Sequence, residues 1–139
     1  MVEFVLVLMV FLTLLFGLLN FGLALYVFHY VAFAAREGTR YAMVRGSDCT
    51  TFTTDCPTLL DGSGVLTYLE TVNVPPGISP GKMTVTTSWP GTNPGCVLPT
   101  NSPGCVVKVV VTYSFNFWIP LMPASTTIMS STSQMVISQ

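Results

Sequence analysis

The chain has 139 residues, of which half are hydrophobic and only 8% charged, and its formal net charge is −1. That length admits one domain with at most an appendage. The near-zero charge, with no basic stripe among the aromatics, leaves no electrostatic footprint for DNA or RNA, and nucleic-acid binding is set aside.

The apolar weight is concentrated at the start. Residues 4–35 contain no charged side chain, Glu3 stands directly in front of them, and no proline interrupts them. As a helix, residues 1–45 would reach roughly 67 Å, more than twice the hydrocarbon thickness of a bilayer. A secretory signal has a basic start and a short apolar core, and this segment has neither. Residues 4–25 suit a membrane span. The helix then continues through Tyr26, Tyr30, Phe33 and Tyr41 with Arg36, Glu37 and Arg40 between them. That pattern predicts one stripe packed on a head and another facing partners or solvent.

Glu3 suits the positive end of a helix dipole. If many such helices bundle, however, hydrocarbon surrounds its carboxylate and a cationic partner is required. No Lys or Arg precedes Arg36, so the amino terminus of a neighbouring copy is the candidate. Gly17, Asn20 and Gly22 interrupt the apolar run, and each glycine costs about 1 kcal/mol relative to alanine inside a helix. Close helix–helix contact and a stretch able to unwind are both open readings. His29 is expected to be a packed or interface residue rather than a base or metal ligand, since no partner for it is visible.

Residues 48–139 form a β-rich head, with residues 1–47 as the helical unit. Cys49, Cys56, Cys96 and Cys105 all lie in the head. Zinc sites favour shorter Cys-x-x-Cys spacings or partner histidines, so disulfides in an oxidising compartment are the reading taken. Of the three connectivities that four cysteines allow, the local one, Cys49–Cys56 and Cys96–Cys105, is expected. Each loop is so short that closing it is worth roughly 2.5 kcal/mol in the chain-entropy model.

Ser47–Pro57 is rich in turn residues. Val65, Leu66, Leu69 and Val72 fit one face of a short helix that starts near Asp61 or Ser63. Pro75-Pro76-Gly77 ends it and Pro80-Gly81 launches a strand. In 82–89, Met83, Val85 and Trp89 share one face, with Lys82, Thr84, Thr86 and Ser88 on the other. Residues 90–104 read as a long, Pro- and Gly-rich hairpin tip held by the second cysteine pair. From Val107 the alternation is clean: Val107, Val109, Val111, Tyr113, Phe115 and Phe117 point one way. A last strand, roughly 125–137, is polar on both faces. The expected architecture is α+β: one long N-terminal helix whose second half carries a small antiparallel sheet of three or four strands.

Three blocks of residues carry a family resemblance. Val2-Glu3-Phe4-Val5-Leu6-Val7-Leu8, Gly17-Leu18-Leu19-Asn20-Phe21-Gly22-Leu23-Ala24-Leu25-Tyr26 and Ala34-Ala35-Arg36-Glu37-Gly38-Thr39-Arg40-Tyr41-Ala42 closely resemble the TadE-like proteins of tight-adherence pilus systems, which are type IV pilin-like subunits. The last third is also similar: Val107–Phe117, a Pro120/Pro123 turn, and a final strand to Gln139. The resemblance implies cutting by a prepilin-type peptidase, storage in the inner membrane, and assembly or priming of a pilus by dedicated machinery. Two departures stand out. The acid lies nearer the start than the family pattern places it, with no basic leader or cleavage-site glycine before it, so the chain is expected to be a processed form or to be cut differently. Leu8-Met9-Val10 also stands where the family often has a proline.

No paired acids, nucleophile elbow or phosphate-binding loop occurs. Asp48, Asp55 and Asp61 lack the tight alternating spacing of calcium loops and read as solvated turn residues. Neither an enzyme nor a cofactor is expected. The function expected is a pilin-like structural subunit that polymerises with itself into an extracellular filament from a membrane-inserted pool. Its assembly residues would be Glu3, Phe4, Leu8, Phe11, Leu15, Gly17, Asn20, Gly22, Tyr26, Arg36, Glu37 and Arg40. The charged trio would make inter-subunit or helix–head ion pairs. The alternatives are a minor priming pseudopilin and a single-pass anchored adhesion module.

Overall fold

The computed structural model describes residues 2–45, 63–72, 74–91, 93–96, 102–117 and 125–138. A continuous 44-residue helix, α1 (Val2–Arg45), opens the chain. Its sequence favours this: Leu-rich, free of proline, with Glu3 in the first turn, where the helix dipole favours an acid. A ten-residue helix, α2 (Ser63–Val72), follows, and then a single 3-10 turn at Pro80–Lys82 leads into β1 (Met83–Ser88). The proline at the start of that turn has its φ already set, and its missing N–H is no loss there. Strands β2 (Val106–Phe117) and β3 (Ser125–Val136) complete a three-stranded antiparallel sheet in the order β1-β2-β3. Among the described residues there is no fourth strand.

Register follows side-chain alternation. Val85 pairs with Val111 and Met83 with Tyr113, while Val109 of β2 faces Ser133 of β3. Val107, Val109, Val111 and Tyr113 are buried on one side of β2, with Met83 and Val85 beside them. Thr87 continues this inward series between Val85 and Trp89 and is buried as well. A hydrophobic reading of β1 passes over it because its side chain is polar. β3 is exposed or half-buried along its whole length, as its Ser/Thr content requires.

The helix closes this core. Val27, Tyr30, Val31, Ala34, Ala35, Gly38, Thr39 and Ala42 recur at spacings of three and one, which places them on one face of α1, and all are buried. From residue 34 onward the stripe is small, so the sheet and α2 come close to the helix backbone. A Cβ added to Gly38 would lie 2.8 Å from Val65 Cγ1 and 3.5 Å from both Leu69 Cδ1 and Val109 Cγ1. Gly38 is therefore the point where α1, α2 and β2 converge. The one hydroxyl in this stretch of the stripe, Thr39 Oγ1, donates back to the Ala35 carbonyl at 2.6 Å and so carries no unpaired polar group into the core. Burying each valine or leucine of this set contributes about 1.5–3 kcal/mol.

Gly38→Ala tests that convergence. Its nearest neighbour is a β-branched side chain with little rotamer freedom. The variant should lose about 1–2 kcal/mol of head stability through overpacking, despite alanine's better helix propensity. Urea unfolding of the full chain in detergent, followed by near-UV circular dichroism, measures it.

Candidate functional site

The first half of α1 has almost no contact with the rest of the chain. From Val2 to Tyr26 every residue is exposed or half-buried, and Phe4 and Phe11 are 72% and 58% exposed. An 18-residue window of this helix has a mean hydropathy of 2.7 with none of it buried, so the helix is long and apolar enough to cross a membrane. Its polar side chains turn inward on their own backbone. Thr13 Oγ1 donates to the Val10 carbonyl at 2.8 Å and Asn20 Nδ2 to the Phe16 carbonyl at 2.9 Å. Such local bonding lets a polar side chain sit in an apolar medium. Apart from the neighbouring residues and the helix's own backbone, no atom of the described residues lies within 4 Å of a Cβ built on Gly17 or Gly22. Their small size therefore admits no close packing among the described residues.

The head covers one side of α1 only. On the opposite side, Phe4, Leu8, Phe11, Leu15, Leu18, Gly22, Tyr26, His29, Phe33, Arg36 and Arg40 recur at spacings of three and four, and every one is exposed. With 3.6 residues per turn these positions stay on one face over the full length of the helix. Eight of the expected assembly residues lie on this stripe: Phe4, Leu8, Phe11, Leu15, Gly22, Tyr26, Arg36 and Arg40. Glu3, also exposed, lies beside its N-terminal end. Gly17 and Asn20 are half-buried on other faces, and Glu37 is turned toward the head.

Glu37 makes a different contact from the ion pairs expected across subunits or to the head. Tyr68 Oη of α2 donates to Glu37 Oε1 at 3.3 Å, and the Tyr68 ring stacks on Tyr41 at a centroid distance of 4.1 Å. Arg40 Nη1 lies 3.9 Å from Glu37 Oε2 within the same helix. That pair is solvent-exposed on the arginine side and contributes little. Among the described residues Arg36 has no ion-pair partner. The residue not anticipated here is Tyr68; the Tyr41–Tyr68 stack between two helices far apart in sequence leaves no periodic signal.

A shallow groove opens where the head meets the helix. Tyr26, His29, Tyr30 and Phe33 line it from α1, and Pro75 lines it from the loop after α2. Tyr26 Oη donates to the Pro76 carbonyl at 3.4 Å, and the Ser79 amide donates to Tyr113 Oη at 3.3 Å, which ties this loop to both helix and sheet. His29 is exposed and meets the Phe28 ring edge-on at 6.4 Å.

At the other end of the head, Cys96 and Cys105 form a disulfide. Asn93 clamps the same junction: its Nδ2 donates to the Gly104 carbonyl, and its Oδ1 accepts from the Val106 amide at 3.2 Å. Gly104 has φ +88°, and a Cβ there would meet the Gly95 carbonyl oxygen at 2.8 Å, so glycine is required where the two segments pass. The ladder to β3 continues through Gly104 N to Ile137 O and Ile137 N to Cys105 O, at 2.9 and 2.8 Å. The expected Cys49–Cys56 bridge, the Asp48, Asp55 and Asp61 turns and the Pro120/Pro123 turn lie outside the described residues. Among the described residues, no three His, Cys, Asp or Glu side chains gather in a way that could hold a metal ion.

A long apolar helix carrying a three-stranded antiparallel sheet and a disulfide is an α+β, pilin-like arrangement. The sequence model of the TadE-like protein family matches residues 1–40, which covers the first two blocks of the helix that carry the resemblance and the third as far as Arg40. The similarity seen in the last third falls outside that match. No curated protein and no solved structure matches the chain. Together, the family match and the apolar helix fit a membrane-anchored or pilus-associated subunit related to the Tad pilus.

Replacing both Cys96 and Cys105 by serine should lower head stability by roughly 2–3 kcal/mol, and Asn93→Ala by about 1 kcal/mol. Denaturant melts of the three proteins, with limited proteolysis to locate the loosened segment, give the comparison. α1 should keep its contacts with the head in all of them.

Proposed function

We propose that this chain is a structural, pilin-like subunit of a tight-adherence type IV pilus, stored in the inner membrane and assembled through α1 into an extracellular filament. The mechanism is self-association rather than turnover. Residues 1–47 would be the filament-core helix and 48–139 the outward head. The observation that carries this reading is the exposed stripe from Phe4 to Arg40. The head packs on the opposite side of the helix and leaves every residue of the stripe exposed, touching it only at its edge, where the Tyr26 hydroxyl meets the Pro76 carbonyl. A mere anchor needs only the membrane-spanning part of that stripe; a bundling helix uses all of it.

Within the bundle, Phe4, Leu8, Phe11 and Leu15 would interdigitate with neighbouring helices, and Gly17 and Gly22 would admit close backbone approach. Glu3 would set the register by pairing with a cation of the next subunit, its amino terminus being the candidate. Arg36 and Arg40, at the head end of the stripe, would face the neighbouring subunit. A prepilin peptidase and the pilus assembly machinery are the partners that the family resemblance implies.

Electron microscopy and mass spectrometry of material sheared from producing cells test the assignment. Filaments composed mainly of this chain are expected. A trace amount in filaments made of another subunit would assign the priming role instead, and recovery only in membranes would leave an anchored surface module. In the same cells Glu3→Ala should reduce filament yield at least tenfold while the head keeps its native circular dichroism. Normal filaments from that variant would remove Glu3 from register setting.

A further inference from the structure

We propose that in the stored form the head rests on the bilayer surface through its lower rim, made by the groove at Tyr26, Tyr30, Phe33 and Pro75 and by the adjoining end of β2 at Phe117. The inference depends on the membrane-span reading of α1 and adds how the head sits on that membrane.

Position along the helix is the first argument. A hydrocarbon layer of about 30 Å takes about 20 helical residues. Glu3 must stay at or near the far surface, because a carboxylate in hydrocarbon is costly. The near surface then falls around residues 24–26, and the next four to five residues occupy the headgroup layer. Tyr26 and Tyr30 lie in that interval. Phe33 follows one turn later, and helical side chains lean toward the N-terminus, so its ring covers the turn below it. Tyrosine, with an apolar ring and a polar tip, is the residue type that such a layer selects.

The head descends to the same level. Val109 packs at Gly38, while the Tyr113 hydroxyl receives the Ser79 amide in the loop whose Pro76 carbonyl accepts from Tyr26. β2 therefore runs down α1 toward the membrane end. From Tyr113 to Phe117 it advances roughly a further 13 Å in the same direction. Phe117 is half-buried against Phe115. Aromatic rings thus gather at the depth where the lipid begins, beside the exposed polar strand ends Asn116, Ser125 and Thr126, whose side chains suit the headgroup layer.

The test uses the full chain in bilayer nanodiscs of phosphatidylethanolamine and phosphatidylglycerol, with a lipid carrying a nitroxide just below the headgroup. Amide relaxation is read by NMR. Gly77 and Phe117 should relax at least threefold faster than Cys105, which lies at the far end of the head, and residues 10–20 should be affected as lipid-embedded. If Gly77 and Phe117 match Cys105 while residues 10–20 are affected, the head stands clear of the lipid and the proposal fails, leaving the span intact. If residues 10–20 are unaffected as well, the span reading fails with it. If Gly77 and Phe117 respond instead to a nitroxide carried on a second copy of the chain, the rim is a subunit contact and the proposal is overturned.

Discussion

The close approach at Gly38 governs how the rest of the molecule is arranged. Because positions 34, 35, 38, 39 and 42 of α1 are small, β2 and α2 reach the helix backbone, and Val65, Leu69 and Val109 pack where a larger residue would hold them off. That contact fixes which side of the helix the head occupies. It also fixes which side it leaves bare. The Tyr68–Glu37 hydrogen bond and the Tyr41–Tyr68 stack hold α2 in the same place by polar and aromatic contacts next to the core. Arg36 and Arg40 remain on the uncovered side, where Arg40 reaches back one turn to Glu37 Oε2.

One helix consequently lives in two media. From Val27 onward its inner stripe is buried against its own chain, and before Tyr26 no residue of the helix is buried. An exposed apolar surface of this extent is far beyond what soluble monomers tolerate, and it identifies a segment built for lipid or for other copies. The polar residues of that segment agree with this: Thr13 and Asn20 bond to their own helix and need no water. The disulfide and the Asn93 clamp lie at the opposite end of the head, where the chain is rich in Pro and Gly and a small sheet has little core left to order it.

Much of this was legible from the residues, for identifiable physical reasons. The uncharged run and the absence of proline in it announce α1, and the alternation from Val107 announces β2, because each pattern has the period of its element. α2 was legible from Val65, Leu66 and Leu69, and the Cys96–Cys105 bridge from its short spacing. The contacts that join these elements were not. Gly38 sits in a small-residue segment that carries a family likeness, but nothing local says that its missing Cβ is what admits Val65. Thr87 hides in a strand face because a hydroxyl breaks the apolar alternation. The role of Tyr68 depends on where α2 lands, which only the packed structure decides. Charge alone pointed Glu37 toward an ion pair with the head or a neighbour, whereas within the chain it accepts a tyrosine hydroxyl from α2.

The two media also constrain how assembly is driven. In the proposed storage form the stripe from Phe4 to Gly22 would already lie in hydrocarbon, so moving it into a bundle of like helices would exchange one apolar environment for another. The hydrophobic effect that folds soluble proteins contributes little to that exchange. What differs between the two states is packing density against protein side chains, close backbone approach at Gly17 and Gly22, and the environment of the few polar groups, Glu3 above all. A leucine at a lipid-facing position of the stripe is therefore readily replaced by another apolar residue. Glu3, in the first turn of the helix, would have no apolar substitute in the proposed bundle, because an apolar residue could not pair with a cation of the next subunit. The specificity of the proposed assembly would then concentrate in Glu3, Gly17, Asn20 and Gly22 rather than in the leucines and phenylalanines of this stretch.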